Sequence, residues 1–187
     1  MRIAITGSAN VGKTTLFNAL KNELQDYSFY PELAIQLIEK EPAVFNDKPA
    51  FEKRLYELHK IRETDESFIE KENLIVDRCV LDTLVFSDYH NIAEYFNYEQ
   101  IIKQLSIACY DMIFIVFPFM PFKEADKLHM TFVKWSIKLS AKGFPFIFIK
   151  TPDLKERVEL ILSYIENCNQ IPLGCGVQSD FKSRFNI

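Results

Sequence analysis

The sequence predicts a three-layer α/β domain, in which a five-stranded parallel sheet carries helices on both faces. Three observations lead to this prediction. Short apolar runs alternate with segments whose apolar residues recur every three or four positions, which is typical of strands connected by helices. Several runs are apolar throughout, as expected of parallel strands that are covered on both faces. A glycine-containing turn joins the first strand to the first helix.

The first strand, residues 3–5, runs into the segment GSANVGKT at residues 7–14, which satisfies the pattern G-x-x-x-x-G-K-[ST]. Glycines let the backbone curl so that successive N–H groups point at phosphate oxygens, and the following helix adds its positive end. After the loop, apolar residues recur at the spacing of an amphipathic helix: Leu16, Phe17, Leu20 and Leu24. The segment is therefore predicted to be a phosphate-binding loop (P-loop), and the fold to be the three-layer P-loop NTPase fold.

The residues of this loop have separate predicted roles. Lys13 is expected to contact the β- and γ-phosphates of ATP, and the Thr14 hydroxyl is the expected Mg²⁺ ligand. The rest of the predicted ATP-binding loop is Gly7, Ser8, Ala9, Asn10, Val11, Gly12 and Thr15.

The second strand is predicted over residues 27–30, and Pro31 suits the first turn of a helix over residues 32–40. Glu32 then follows the carboxyl end of a strand, where open α/β sheets bind ligands. Residues 41–49 contain two prolines and predict a loop. The next helix has an apolar stripe of Phe51, Leu55, Leu58 and Ile61. Its charged residues predict a solvated face: Arg54, His59, Lys60 and Arg62.

The third strand, residues 74–76, is followed by Asp77 and Arg78. A buried parallel strand that ends in an acid can deliver a carboxylate toward Mg²⁺, usually through water, and the adjacent arginine can hold phosphate bidentately. A structural ion pair at the sheet edge is the alternative. The phosphate loop favours the functional interpretation, because paired charges with perturbed pKa values cluster at active sites.

The remaining elements complete the alternation: helices over residues 80–89 and 98–109, a strand over 111–117, a helix over 123–142 capped by Gly143, a strand over 144–149 and a helix ending near residue 167. Lys123 and Lys127, in the first turn of the long helix, are candidates for a lid that closes over phosphates. Residues 1–167 are thus predicted to form one domain, and residues 168–187 an irregular tail.

Composition narrows the function classes. A net charge of −4 and a hydrophobic content of 48% argue against disorder and against electrostatic binding of a nucleic acid polymer. No leader is visible, and the apolar runs are too short to cross a membrane. The four cysteines form no C-x-x-C pair and lie partly in apolar runs, which favours reduced thiols in a cytoplasmic protein.

The opening GSANVGKTTLFNAL resembles that of translation-factor-type GTPases. That family also needs D-x-x-G to sense the γ-phosphate and N-K-x-D to bind guanine. None of the five glycines has an aspartate three positions earlier, and KTPD at residues 150–153 has the wrong spacing for the guanine motif. The resemblance to GTPases is therefore confined to one motif.

A second resemblance covers roughly residues 1–165. The phosphate loop, PELA at residues 31–34 and DRCVLDTLVF at residues 77–86 are similar to the P-loop nucleoside and nucleotide kinases, and within them to the thymidylate kinases, deoxynucleoside kinases and nicotinamide riboside kinases. The resemblance implies that Glu32 approaches the reacting or sugar group of the substrate, and that Asp77 and Arg78 serve metal and phosphates. Asp82 matches less specifically.

The lids of those kinases bring arginines to the transferred group, whereas residues 118–142 contain none. Lys123 and Lys127 are therefore expected to substitute as point charges.

The expected function is an ATP- and Mg²⁺-dependent phosphotransferase that acts on a nucleoside, a deoxynucleoside monophosphate or a similar small metabolite. The predicted catalytic residues are Lys13, Glu32, Asp77 and Arg78, and the predicted metal ligands are Thr14 and Asp77. A hydroxyl acceptor would use Glu32 as its base, whereas a monophosphate would need cations, for which Arg54, Arg62 and Arg78 are the candidates. The alternative function is a nucleotide-dependent switch or regulatory ATPase without a small acceptor. Monomer and homodimer both remain open.

Overall fold

The computed structural model describes residues 1–118 and 123–169, with the backbone alone for residues 123–126 and 169. In these ranges the strands are β1 (Arg2–Gly7), β2 (Ser28–Tyr30), β3 (Leu74–Asp77), β4 (Met112–Val116) and β5 (Phe146–Ile149). The α-helices are α1 (Lys13–Glu23), α2 (Leu33–Lys40), α3 (Lys48–Thr64), α4 (Glu66–Ile69), α5 (Leu81–Tyr89), α6 (Tyr98–Ala108), α7 (Lys123–Ser140) and α8 (Leu154–Asn169). Two 3₁₀ helices span Pro42–Asn46 and Ala93–Tyr95.

The five described strands form one parallel sheet in the order β2-β3-β1-β4-β5. Strand β1 is central, with Ile3 opposite Ile75 of β3 and Met112 of β4. The chain leaves β1 toward α1 at the point where the strand order changes direction. Open α/β sheets bind ligands at this point of the carboxyl edge, so the topology places the phosphate loop at the expected ligand site.

Both faces of the sheet are covered by helices. Ala4 and Ile113 face a core built with helices α5, α6 and α7, whereas Ile3 and Phe114 face a second core built with α1 and α8. Successive residues of a strand point to opposite faces, so a strand buried on both sides must be apolar at every position. This arrangement confirms the predicted three-layer α/β fold.

Helix α3 differs from its prediction. His59 and Arg62 were expected on a solvated face, but His59 is 1% exposed and the Arg62 side chain 9% exposed, so the prediction is wrong for both. Ile61, expected inside, is 60% exposed. The helix packs against α5 and α6, and its buried stripe includes polar residues. Hydrophobic periodicity assigns such residues to the outside, because it cannot detect partners from other helices.

Several boundaries also differ. The predicted loop at residues 41–49 contains the 3₁₀ helix Pro42–Asn46, and β5 begins two residues later than expected. Helix α8 continues to residue 169, two residues beyond its predicted end near residue 167. The irregular tail predicted for residues 168–187 lies outside the described residues from residue 170 onward and stays a prediction, and residues 119–122 of the predicted proline-rich turn also lie outside them.

Cysteine state and membrane character can be checked in the described ranges. Cys79, Cys109 and Cys168 are free thiols there. None of the helices described combines the length and the apolarity that crossing a bilayer requires.

The core on the α7 side provides a test of the fold. Phe132 is fully buried, and Phe132→Ala is expected to lower the free energy of unfolding by about 3–5 kcal/mol, because the cavity adds to the lost transfer free energy. Ile137 lies on the same helix but is 65% exposed. Ile137→Ala should therefore change the free energy of unfolding by less than about 0.5 kcal/mol. Urea denaturation measures both values. Equal effects of the two changes would contradict the packing of α7.

Candidate active site

The phosphate loop is shaped by residues with positive φ angles. Gly7 has φ +137°, and a Cβ atom added there would lie 2.5 Å from the Val116 carbonyl oxygen, so only glycine fits. Asn10 has φ 59°, and Gly12, which immediately precedes α1, has φ 85°. These left-handed residues turn the chain from β1 into the N-terminus of α1. The resulting curl can direct backbone N–H groups at an anion.

Lys13 lies inside this curl. Its side chain is buried, and its ammonium group donates a hydrogen bond to the Ser8 carbonyl oxygen at 2.5 Å. Burial and the neighbouring charge of Arg78 lower the pKa of Lys13 to about 7, against the opposing effects of Asp82 and Asp77. A polyphosphate at the loop would favour the protonated form, because an opposite charge stabilises the cation.

Thr14 and Asp77 meet at the carboxyl ends of β1 and β3. The Thr14 hydroxyl donates to Asp77 Oδ2 at 3.0 Å, while Asp77 Oδ1 is buried without a hydrogen-bond partner among the described residues. Burial and the nearby charge of Glu32 raise the pKa of Asp77. These hard oxygen atoms, one with unused capacity, fit the few protein ligands that Mg²⁺ takes when phosphates supply the others.

Arg78 connects the other predicted residues. Its Nε donates to Glu32 Oε1 at 2.6 Å, and its Nη1 donates to the Gly7 carbonyl oxygen at 3.1 Å and to Asp82 Oδ1 at 2.5 Å. Burial alone would lower the pKa of Arg78, but Asp82 and Glu32 more than compensate, so its pKa is raised. Arg78 therefore holds the Glu32 carboxylate beside the phosphate loop.

Glu32 immediately precedes α2, at the N-cap position, yet its side chain makes no capping hydrogen bond. It turns instead toward Arg78 and is 16% exposed. A cavity of about 160 Å³ opens next to it. The lining residues are Thr14, Phe17, Asn18, Pro31, Glu32, Ile35, Gln36 and Asp77. The predicted metal ligands and the predicted base thus share one cavity.

Asp82 has a larger role than the sequence indicated. It is 1% exposed, and besides Arg78 it accepts hydrogen bonds from the Thr6 hydroxyl at 2.7 Å and from the Cys79 backbone N–H at 3.2 Å. The spacing of four residues between Arg78 and Asp82 was no signal, because Arg78 has φ 67° and precedes Leu81, the first residue of α5, whereas the i, i+4 rule applies to two residues on one helix. The contact of Asp82 with Thr6, on β1, gave no signal in the sequence either.

The sequence analysis did not identify Arg157 as a residue that contacts the phosphate loop. This buried residue of α8 donates from Nη1 to the Val11 carbonyl oxygen at 2.8 Å and from Nε to the Thr151 carbonyl oxygen at 2.9 Å. It thereby ties the phosphate loop to the turn after β5. No sequence pattern indicates this contact, since the two segments are far apart along the chain.

Other predicted cations lie elsewhere. Arg54 pairs with Glu41 at 3.0 Å on the surface, both side chains being more than 40% exposed. Arg62 donates to the Arg78 carbonyl oxygen at 2.9 Å beneath the site. The Lys127 ammonium group lies 5.4 Å from the centre of the Tyr89 ring, and the side chain of Lys123 lies outside the described residues. The lid therefore stays a prediction.

A second hollow, of about 360 Å³, lies between α3 and residues 95–101. None of the predicted site residues lines it. The smaller cavity beside the phosphate loop is the better candidate for chemistry, because it contains the convergent polar groups.

A phosphate loop at the centre of a five-stranded parallel sheet, flanked by an acid and an arginine from the neighbouring strand, defines a P-loop domain of the nucleoside-kinase-like fold. The chain belongs to the AAA domain family, whose model matches residues 2–157. No curated protein sequence matches the chain.

Solved structures with this fold include deoxyadenosine kinase from M. mycoides with products dCMP and dCDP bound. It is 17% identical, with a TM-score of 0.65, and the match covers 89% of this chain and 100% of that one. The NadR protein in complex with NR is 16% identical, with a TM-score of 0.69 over 92% of this chain. This chain spans about half of the length of the NadR chain, since the match covers 51% of it. At these identities the likeness establishes the fold.

The buried pair of Arg78 and Asp82 can be tested through stability. Asp82→Ala leaves the Arg78 cation buried without its nearest partner, and is expected to cost about 3–5 kcal/mol of unfolding free energy. Glu41→Ala removes the partner of Arg54 from an exposed pair and should cost less than about 1 kcal/mol. Chemical denaturation measures both. Similar costs would show that Asp82 contributes no more than a surface carboxylate.

Proposed function

We propose that this protein is an ATP- and Mg²⁺-dependent phosphotransferase that phosphorylates a hydroxyl group of a nucleoside or a similar uncharged metabolite. One observation carries the proposal. A single guanidinium, that of Arg78, binds both the Glu32 carboxylate at 2.6 Å and the carbonyl oxygen of Gly7, the first residue of the phosphate loop, at 3.1 Å. A candidate base is thereby fixed next to a candidate phosphate site.

The phosphate side would act by positioning and by neutralising charge, which is how phosphoryl transfer is mainly catalysed. ATP would supply the γ-phosphoryl group, and Mg²⁺ would neutralise part of its charge. Residues of this chain would do the rest: the backbone N–H groups of the loop and Lys13 would hold the phosphates. Thr14 and Asp77, whose oxygens are 3.0 Å apart, would hold the metal ion.

On the acceptor side, Glu32 would take the proton of the attacking hydroxyl. The hydroxyl oxygen forms a bond to the γ-phosphorus, the bond from phosphorus to the bridging oxygen breaks, and ADP leaves with that electron pair. The proton resides on Glu32 until solvent removes it. Arg78 orients the carboxylate throughout, since it binds one oxygen, Oε1, and leaves the other for the acceptor.

The charges around the site favour a hydroxyl acceptor over a monophosphate. Of the three arginines that could hold a phosphate acceptor, Arg54 pairs with Glu41 at the surface, Arg62 lies beneath the site and Arg78 is bound to two carboxylates. Glu32 and Asp77 line the cavity. A dianionic acceptor would meet these carboxylates without a free arginine among the described residues, and this would weaken its binding.

The ligands of proteins with this fold agree with the proposal. A second NadR structure holds NAD and AMP-PNP, and the M. mycoides deoxyadenosine kinase has been solved with bound dATP. By analogy, we assign this chain a nucleotide substrate and an acceptor of nucleoside type. The free cysteines of the described ranges fit the reducing cytoplasm, where we place the protein.

A panel of acceptors tests the proposal. Wild-type protein with ATP and Mg²⁺ should form ADP faster when deoxyadenosine, deoxycytidine, thymidine or nicotinamide riboside is added, and the corresponding monophosphates should have little effect. Lys13→Ala should abolish this turnover because its cation no longer reaches the phosphates. Lys21→Ala, an exposed change on the same helix, should not.

A coupled ADP assay measures turnover, and thermal denaturation shows that each variant is folded. A basal ATPase rate that no nucleoside or monophosphate changes would favour the alternative, a nucleotide-dependent switch. Acceleration by monophosphates alone would overturn the choice of a hydroxyl acceptor.

Glu32→Gln tests the base. The glutamine oxygen can still accept the hydrogen bond from Arg78, but the amide cannot take a proton, so kcat should fall by about 10²–10⁴-fold with little change in the KM for ATP. The matched control is Glu39→Gln, at an exposed position on the same helix. Steady-state kinetics with the best nucleoside measures the effect. An unchanged kcat would remove Glu32 from the mechanism.

A further inference from the structure

The chain passes from β3 to α5 through residues 78–80, the β3–α5 connection, and its first residue has an unusual backbone. Arg78 has φ 67°, a left-handed conformation that residues other than glycine rarely adopt. Such a conformation persists only where neighbouring groups hold it. The groups that bind the backbone of this connection therefore help to decide where the Arg78 side chain points.

Two successive residues of α3 bind the β3–α5 connection. Arg62 donates from Nη2 to the Arg78 carbonyl oxygen at 2.9 Å. Glu63 Oε1 accepts a hydrogen bond from the Val80 backbone N–H at 3.3 Å. The connection is thus held at its first and its last residue by side chains from a helix that is distant in the sequence.

Both side chains are buried: Arg62 is 9% exposed and Glu63 is 0% exposed. Their burial is costly unless they are hydrogen-bonded, and their contact with each other is too long to satisfy them, since Arg62 Nη2 lies 3.6 Å from Glu63 Oε1. Other groups fix them in place. The Tyr110 hydroxyl donates to Glu63 Oε1 at 2.9 Å, and His59 Nδ1 lies 3.1 Å from Arg62 Nη2.

Neither residue reaches the chemistry directly. Arg62 and Glu63 line neither the cavity beside Glu32 nor the hollow between α3 and residues 95–101. An effect of these two residues on turnover must therefore pass through the connection that they bind.

We propose that Arg62 and Glu63 are positioning residues: they hold the β3–α5 connection so that the Arg78 guanidinium orients the proposed base. The inference rests on the proposed function and deepens it. The guanidinium binds Glu32 Oε1 at 2.6 Å. Because this group lies at the end of a long side chain, a small rotation of the backbone at Arg78 moves it, and the carboxylate with it, away from the acceptor. Small misplacements of a reacting group have large effects on rate.

Steady-state kinetics with the nucleoside that the wild type phosphorylates fastest tests Arg62. Arg62→Met removes the donor and keeps much of the side-chain length, so kcat should fall by about 10–10²-fold. Arg62→Lys keeps a cationic donor and should retain more of kcat than Arg62→Met. The control is Lys60→Met, at a side chain on the same helix that is 51% exposed, and it should behave as the wild type.

Glu63 is tested by a conservative and a disruptive change. Glu63→Gln keeps an oxygen that can accept both hydrogen bonds, so its kcat should stay close to that of the wild type. Glu63→Leu removes the acceptor and should lower kcat as Arg62→Met does. Glu57→Leu, at a side chain that is 49% exposed, is the matched control and should have no effect.

A double-mutant cycle separates positioning from a general loss of structure. If Arg62 acts by orienting Glu32, then Arg62→Met should lower kcat little further in a protein that already carries Glu32→Gln, because that protein has no base to orient. A purely structural defect would lower kcat by the same factor in both backgrounds. Thermal denaturation shows that each variant is folded at the assay temperature, and Arg62→Lys takes the place of Arg62→Met in the cycle if Arg62→Met is unfolded.

The outcomes distinguish this inference from the proposed function. If the wild type phosphorylates no acceptor, the proposed function fails, and this inference fails with it. If the wild type phosphorylates a nucleoside, two results overturn the inference alone: an unchanged kcat in Arg62→Met and Glu63→Leu, or equal losses in both backgrounds of the cycle. Arg62 and Glu63 would then serve the fold and not the orientation of Glu32.

Discussion

The site depends on one guanidinium. Arg78 follows β3 with φ 67°, a left-handed conformation that costs a residue other than glycine about 1–2 kcal/mol. Its contacts hold it there. The backbone N–H bonds the Ile5 carbonyl oxygen at 2.9 Å, the carbonyl oxygen accepts from Arg62, and the side chain binds Gly7, Glu32 and Asp82. The strained residue therefore links β1, the phosphate loop, α2, α3 and α5.

The buried ion pairs of Arg78 with Glu32 and Asp82 fix the positions of these side chains more than they stabilise the folded state. Removing an arginine and two carboxylates from water has a large desolvation cost, which their mutual attraction offsets only when every group is well placed. The Glu32 carboxylate can occupy one orientation, because Arg78 is itself immobilised by Asp82 and Gly7. As the proposed base, Glu32 is held in place before a substrate arrives and would need no reorganisation during the reaction.

Local electrostatics divide the site into two sides. The loop side combines backbone N–H groups, the N-terminus of α1 and Lys13, and so favours polyanions. The opposite side contains Glu32, Asp77 and Asp82, with Arg78 already bound, and so favours an uncharged ligand. Arg157 joins the phosphate loop to the turn after β5, so the loop is held from α8 as well as from β1. The role proposed for Glu32 follows from this division.

The sequence by itself determined the fold class and the position of the phosphate loop, because both depend on contiguous residues. Strands buried on both faces must be apolar at each position, and a loop that curls around phosphate requires glycines at fixed spacing. Glu32, Asp77 and Arg78 were located for a related reason: each follows a predicted strand, and strand ends meet at one edge of a parallel sheet. Only the tertiary structure decided the partners of Arg78, the burial of His59, and the contact of Arg157 with Val11. Whether a charged residue is solvated or buried depends on the groups that other helices bring to it, and neither hydrophobic periodicity nor local spacing contains that information.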